Sequence, residues 1–287
     1  ISFSELARRV AVVAEALDRA AESHGVGPAL LATDEAVAFV VGALACAAAG
    51  RACVTIPAAT GAPGIVEIAR STRATALLVA GSDPRPPDGD VATITIADQD
   101  PEAATPGLRA LVTERDAKGL LWDDVVAYDN TSGSTGAPKV PAQRGPVAQG
   151  RRLPATNALP ERQRLATNAS STSAFRARAV RTVLEGATLI GFTLDRLPPR
   201  EMISRLRTTE PSILAVAPTL LRHLHRLSDR HPALPTVDEV QCIGEALRWD
   251  DVRLARELCG ERVTVQNLYG STEVGLVTRR GIPPGEA

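Results

Sequence analysis

Short apolar runs alternate with segments of helical period along most of this chain, and that alternation is the tightest limit on its fold. Residues 29–32, 52–56, 76–80 and 91–96 read as strands, and the pattern returns at 187–192, 212–216, 237–243 and 263–268. Helical spacing lies between them. Leu6, Val10, Val13 and Leu17 follow a Ser2/Glu5 capping pattern, and Gly25 and Gly27-Pro28 stop that helix. Further helices are expected at 34–50, near 64–70, at 174–185 with Gly186 at the end, and at 199–208, 218–227 and 250–259. Strands joined through helices form crossover units, so the sheets are expected to be mainly parallel and flanked by helices. The polar, proline-bearing stretch 153–164 reads as a joint, and 84–90 and 98–107 read as loops. The expected fold class is therefore α/β with two lobes, 1–158 and 159–287. No fixed-period repeat suggests a solenoid.

Composition narrows the function classes. Of the 287 residues 44% are hydrophobic but only 3% aromatic, so the core must rest on Ala, Val, Leu and Ile. A formal net charge of −1, with no basic block interleaved with aromatics, argues against nucleic acid and against anionic membrane. The apolar run at 36–50 falls short of the roughly 20 residues that span a bilayer and reads as a buried helix. With a capped helix at the start in place of a signal peptide, a cytoplasmic protein is expected. Cys46, Cys53, Cys242 and Cys259 show neither C-x-x-C spacing nor paired histidines, so reduced thiols are expected. His223 and His225, two apart on a helix, read as packing or surface residues.

Three polar segments stand beside predicted strand ends, where open α/β sheets bind ligands. The first is Thr131-Ser132-Gly133-Ser134-Thr135-Gly136-Ala137-Pro138-Lys139, in a chain whose only lysines are Lys118 and Lys139. Backbone N–H groups, hydroxyls and one ammonium suit a phosphate chain, while a solvated linker remains the alternative. It is not a Walker A loop, since Ala137-Pro138 separate Gly136 from Lys139 and Val140 follows in place of a hydroxyl. The second is Asn267-Leu268-Tyr269-Gly270-Ser271-Thr272-Glu273, at a strand end. Tyrosine offers a face for a planar base, threonine a hydroxyl and glutamate a hard oxygen ligand for Mg²⁺. The third is Gly244-Glu245-Ala246-Leu247, where a small residue lets a flat ring approach the backbone. Taken singly, the last two also read as strand-end punctuation and a solvated turn.

In this order the segments resemble those of the adenylate-forming superfamily: acyl- and aryl-CoA synthetases, luciferases and the adenylation domains of nonribosomal peptide synthetases. Residues 131–139 look like its phosphate loop, 267–273 like its Y-G-x-T-E segment and 244–247 like its G-E-A-L segment. The helix start at 2–6 (SFSEL) and the runs at 45–54 (ACAAAGRACV) and 184–190 (LEGATLI) are similar too, so the resemblance covers nearly all of the chain.

The resemblance implies ATP-dependent activation of a carboxylic acid as an acyl-adenylate, with release of pyrophosphate. The acyl group then passes to a thiol acceptor, CoA or carrier-protein phosphopantetheine. It implies β- and γ-phosphate contacts from Thr131, Ser132, Gly133, Ser134, Thr135, Gly136 and Lys139. Thr272 would contact the α-phosphate and Glu273 would help place Mg²⁺, while Gly244, Glu245, Ala246, Asn267 and Tyr269 would frame adenine. Amino-acid-activating members carry an aspartate in an F-D-x-S segment. That position falls on Ser173, which implies an acid without an α-amine, with Ser173, Ala174, Ala177 and Leu268 lining the pocket. Family members run on through a hinge to a small C-terminal domain that bears a catalytic lysine. That domain, or neighbouring modules, is expected to be missing, and complete turnover by this chain alone is not expected. The continuation Val140-Pro141-Ala142-Gln143-Arg144 departs from the family pattern, so a non-catalytic, adenylation-like binding or scaffold domain is the alternative reading. Kinase-like phosphoryl transfer is disfavoured by the missing Walker lysine and catalytic Asp–Asn pair.

Overall fold

A computed structural model describes residues 1–80, 91–96, 125–129, 142–144, 163–168, 173–192, 199–229, 231–271 and 275–286. The expected loops at 84–90 and 98–107, and nearly all of the expected joint at 153–164, lie outside these residues. The chain divides into two compact units. One is Ile1–Asn157 with Ser170–Leu184, and the other is Ala158–Ala169 with Glu185–Ala287.

The first unit opens with α1 (Phe3–His24), whose Ser2 side chain accepts a hydrogen bond from the Glu5 N–H. The Glu5 carboxylate turns to Arg8 and Arg9. There follow β1 (Ala29–Ala32), α2 (Ala36–Ala48), β2 (Cys53–Ile56), α3 (Ala62–Thr72), β3 (Ala76–Val79), β4 (Ala92–Thr95), β5 (Val125–Asp129) and β6 (Ala142–Arg144). The strands form one sheet in the order β4-β3-β1-β2-β5-β6, parallel throughout except for β5 against β6.

Every residue of β1, β2 and β3 is buried, which explains why Thr55 is their one polar side chain: a parallel sheet covered on both faces has no wet side. Leu30, Ala32, Val54, Ile56, Leu77 and Val79 meet Ile65 and Ala69 of α3. On the other face α2 sits so close that a Cβ on Gly42 would fall 2.6 Å from the Leu31 side chain, so glycine there serves packing. Arg51, only 4% exposed, donates to the Leu17 carbonyl at 2.6 Å and to Thr75 at 3.3 Å, tying α1 to the start of β3. The helix α4 (Ser173–Leu184) packs on α2.

The second unit holds β7 (Arg164–Asn168), β8 (Thr188–Phe192), α5 (Pro199–Thr209), β9 (Ile213–Val216), α6 (Pro218–Leu227), β10 (Glu239–Cys242), α7 (Trp249–Cys259), β11 (Thr264–Ser271) and β12 (Gly275–Ile282). Its sheet runs β12-β11-β10-β9-β7-β8, parallel except for β11 against β12. The mainly parallel α/β architecture expected from the sequence is thus observed in both units. Leu214, Val216, Val240, Cys242 and Val265 share a core with Met202, Leu206, Leu221, Leu224, Val252 and Leu258, so α5, α6 and α7 cover one face. Leu165, Ile213 and Ala215 form a smaller cluster on the other.

One expectation is corrected. The strand read at 263–268 does not end before Tyr269. It runs to Ser271 and folds back antiparallel as β12, with Leu268 opposite Arg279 and Tyr269 opposite Thr278. The return strand is an edge carrying Arg279 and Arg280, so it lacks the apolar alternation that marks its neighbours, while charge of this kind suits an edge.

None of the four cysteines is in a disulfide, and all four are buried. Among the described residues no helix is long and apolar enough to cross a membrane.

Candidate functional site

Of three neighbouring parallel strands in the second unit, β9 and β10 end level, while β11 runs on past them to Ser271. Cys242 of β10 pairs with Val216 of β9 on one side and with Asn267 of β11 on the other. Ala217-Pro218-Thr219 and Ile243-Gly244-Glu245 therefore leave the sheet at one height, level with Leu268-Tyr269 of the continuing β11. Two of the three segments singled out in the sequence lie side by side.

Each emerging segment has a distinct role. Gly244 takes φ +95°, a conformation that L side chains rarely adopt, and the space where a Cβ would sit is open. Glu245 and Ala246 are exposed, and Leu247 packs back onto the core. Tyr269 is 67% exposed, and it follows Val265 and Asn267 at two-residue spacing on the strand. An exposed aromatic face beside side-chain-free backbone suits a flat heterocycle, which can stack on the ring and bond to peptide groups. Leu268 points the other way and is buried.

Carboxylates hold this corner together. The Glu245 side chain accepts from the Thr219 N–H at 3.1 Å and from the Thr219 hydroxyl at 2.5 Å, so it caps α6, whose N-cap Ala217 has no side-chain cap of its own. Asp251, 1% exposed in α7, accepts from the Arg222 fork at 2.6 and 2.9 Å and from the Arg248 N–H at 2.9 Å. Burial pushes the Asp251 carboxyl up, but the Arg222 and Arg248 bonds outweigh it and leave the group below the usual carboxylate range. The same bond to Asp251 raises the Arg222 guanidinium above its ordinary value. Sequence reasoning missed Thr219, Arg222, Arg248 and Asp251. Proline at the start of α6 and an aspartate in the first turn of α7 were the available local signals, and neither names its partner.

The remaining site residues named from sequence, Thr131, Ser132, Gly133, Ser134, Thr135, Gly136, Lys139, Thr272 and Glu273, lie outside the described residues. The strands on either side in sequence are described: β5 runs parallel to β2 and antiparallel to β6. Ser173, Ala174 and Ala177 fall in the first half of α4. Among the described residues no group of three or more His, Cys, Asp or Glu side chains is placed to hold a metal ion. Elsewhere in the second unit, His225 bonds Glu257 at 2.7 Å and stacks on His231 with ring centroids 4.4 Å apart, a packing role.

Comparison with known proteins adds to this geometry. The profile of the family described as AMP-binding enzyme matches residues 1–287. CmiS6 has a similar structure, with TM-score 0.76 and 19% identity, over 99% of this chain and 67% of that one. The nonribosomal peptide synthetase FmoA3 gives TM-score 0.75 and 20% identity over 96% of this chain and 29% of its own. The N-terminal subdomain of Klebsiella oxytoca NpsA, in complex with 3-hydroxybenzoyl-AMSN, gives 0.74 and 19% over 98% and 69%. At such identities the likeness is one of fold. No curated protein matches the chain significantly in sequence.

Proposed function

The chain belongs to the AMP-binding enzyme family, and from that premise we propose that it serves ATP-dependent activation of a carboxylic acid as an acyl-adenylate. The observation that carries this reading is the register of β10 against β11, which ends β10 level with Asn267 and so brings the bare backbone at Gly244 to the height of the exposed ring of Tyr269. In the reaction a carboxylate oxygen attacks the α-phosphorus, the bond to the β-phosphate breaks and pyrophosphate leaves. A thiol then attacks the acyl carbon and AMP departs. An ionised carboxylate needs no general base, so the protein's work is positioning and charge stabilisation.

In this reading Gly244, Ala246, Asn267 and Tyr269 frame adenine, and Glu245 holds its segment to α6. Thr131, Ser132, Gly133, Ser134, Thr135, Gly136 and Lys139 hold the outer phosphates, and Thr272 contacts the α-phosphate. Mg²⁺ supplies charge neutralisation when bound, with the Glu273 carboxylate as its hard oxygen ligand. The acceptor is CoA or a carrier-protein phosphopantetheine, and the setting is the cytoplasm. Ser173 offers no charge for an α-ammonium, which supports an acid without an α-amine. The 3-hydroxybenzoyl group held by the NpsA subdomain, a structure of the same fold, is of that kind.

Calorimetry on this chain tests the reading. AMP and ATP should both bind, and Lys139→Ala should weaken ATP by about ten- to a hundredfold, the worth of a charge-assisted contact, while leaving AMP unchanged. Absence of binding by either nucleotide would sink the proposal in favour of a scaffold. Aryl and α-aminoacyl sulfamoyl-adenosine analogues decide the acid, and tighter binding of the aminoacyl analogue overturns the substrate class.

A further inference from the structure

We infer that Arg222 and Asp251 are positioning residues for the nucleotide base, acting through Arg248 on residues 244–247; this rests on the adenine-site reading above. Of this segment only Leu247 packs on the core. Gly244 has no side chain, and residues 244–246 are exposed, so packing gives them no fixed position. One helix, α6, grips the segment at both ends. Thr219 in its first turn binds Glu245, and Arg222, three residues on and therefore on the same helix side, binds Asp251. Asp251 in turn accepts from the Arg248 N–H where the segment enters α7. The Arg222–Asp251 bond is a two-point fork, so it sets orientation as well as distance.

A strand end strapped this way offers its peptide groups in one arrangement before any ligand arrives. A base whose edge matches that arrangement binds without an ordering cost, and one with a different edge loses the match. The pair is therefore assigned to base selection. A residue that served only to stabilise α7 would change stability and leave base preference untouched.

The experiment titrates AMP and GMP calorimetrically into the 287-residue chain and into Arg222→Met, Arg222→Lys and Asp251→Asn, with circular dichroism on each. Wild type is expected to prefer AMP. Arg222→Met and Asp251→Asn should each weaken AMP about tenfold and bring the AMP:GMP ratio close to unity. Arg222→Lys, which keeps the charge and loses the fork, should fall between. Folded variants with the wild-type AMP affinity and ratio overturn the assignment while leaving the adenine-site reading intact. Should Arg222→Met fail to fold, an unchanged ratio in Arg222→Lys overturns it equally. Wild type binding neither AMP nor GMP removes the adenine-site reading and this assignment with it.

Discussion

In the first unit β1, β2 and β3 are buried along their whole length, while in the second β10 and β11 carry Glu239, Gln241, Gln266 and Asn267 among their apolar residues. The buried Arg51 of the first unit bonds a helix carbonyl and a threonine, and it serves to join elements. The polar groups of the second unit are paired sideways across strands. Arg279 reaches Gln266 at 3.0 Å and Glu239 at 3.2 Å, and along β10 itself Gln241 reaches Glu239 at 2.5 Å. One sheet is held by burial and the other, toward its β12 edge and its strand ends, by directed polar bonds. The lesson is that ligand geometry can be tuned where side chains hold the backbone, but not where close packing does.

Substitutions break or sharpen that contrast. The largest effect is expected for Leu77→Ala, fully buried on β3 of the first sheet, which should cost about 2–5 kcal/mol. Hydrogen exchange read separately in the two units should show the loss of protection in the first, and loss confined to the second would undo the comparison. Next comes Asp251→Ala, which removes the cap on Arg248 and should cost about 1–3 kcal/mol.

The Asp251 contribution has a pH signature with a definite sign. Its native carboxyl titrates below the ordinary value, so its contribution is full above the unfolded pKa of about 4 and is lost as pH falls through the lowered native one. The stability gap between wild type and Asp251→Asn in denaturant titrations should therefore close below about pH 4. A gap that widens on acidification would contradict the assignment.

Gly244→Ala meets no steric clash but must adopt a positive φ, so a loss of about 1–2 kcal/mol is expected together with weaker AMP binding. A neutral result in thermal melts would show that the segment relaxes. The smallest stability change belongs to Tyr269→Ala, within about 0.5 kcal/mol because the ring is exposed. It should nonetheless lose AMP affinity, which separates recognition from stability at a single residue.

Much of the fold is legible in the sequence because period is a local property. The four-residue cores of β1, β3 and β9 and the spacing of α1 and α6 lie inside the windows where the alternation is read. The extension of β11 and its return as β12 are not, since an edge strand with Arg279 and Arg280 shows no burial pattern to detect. The same division runs through the site. Gly244 and Tyr269 stand out in the sequence as residue types that follow apolar runs. Arg222 and Asp251 lie 29 residues apart, and nothing between them announces the pair.

The sequence by itself determined the α/β class and the mainly parallel sheets, because both follow from side-chain period within a short window. Only the tertiary structure decided that β9 and β10 end level against a longer β11, that Gly244 emerges at the height of Tyr269, and that α6 straps the segment after β10 through Glu245 and Asp251. Strand register and ion-pair partnership are set by how elements pack, and no single stretch of chain contains that information.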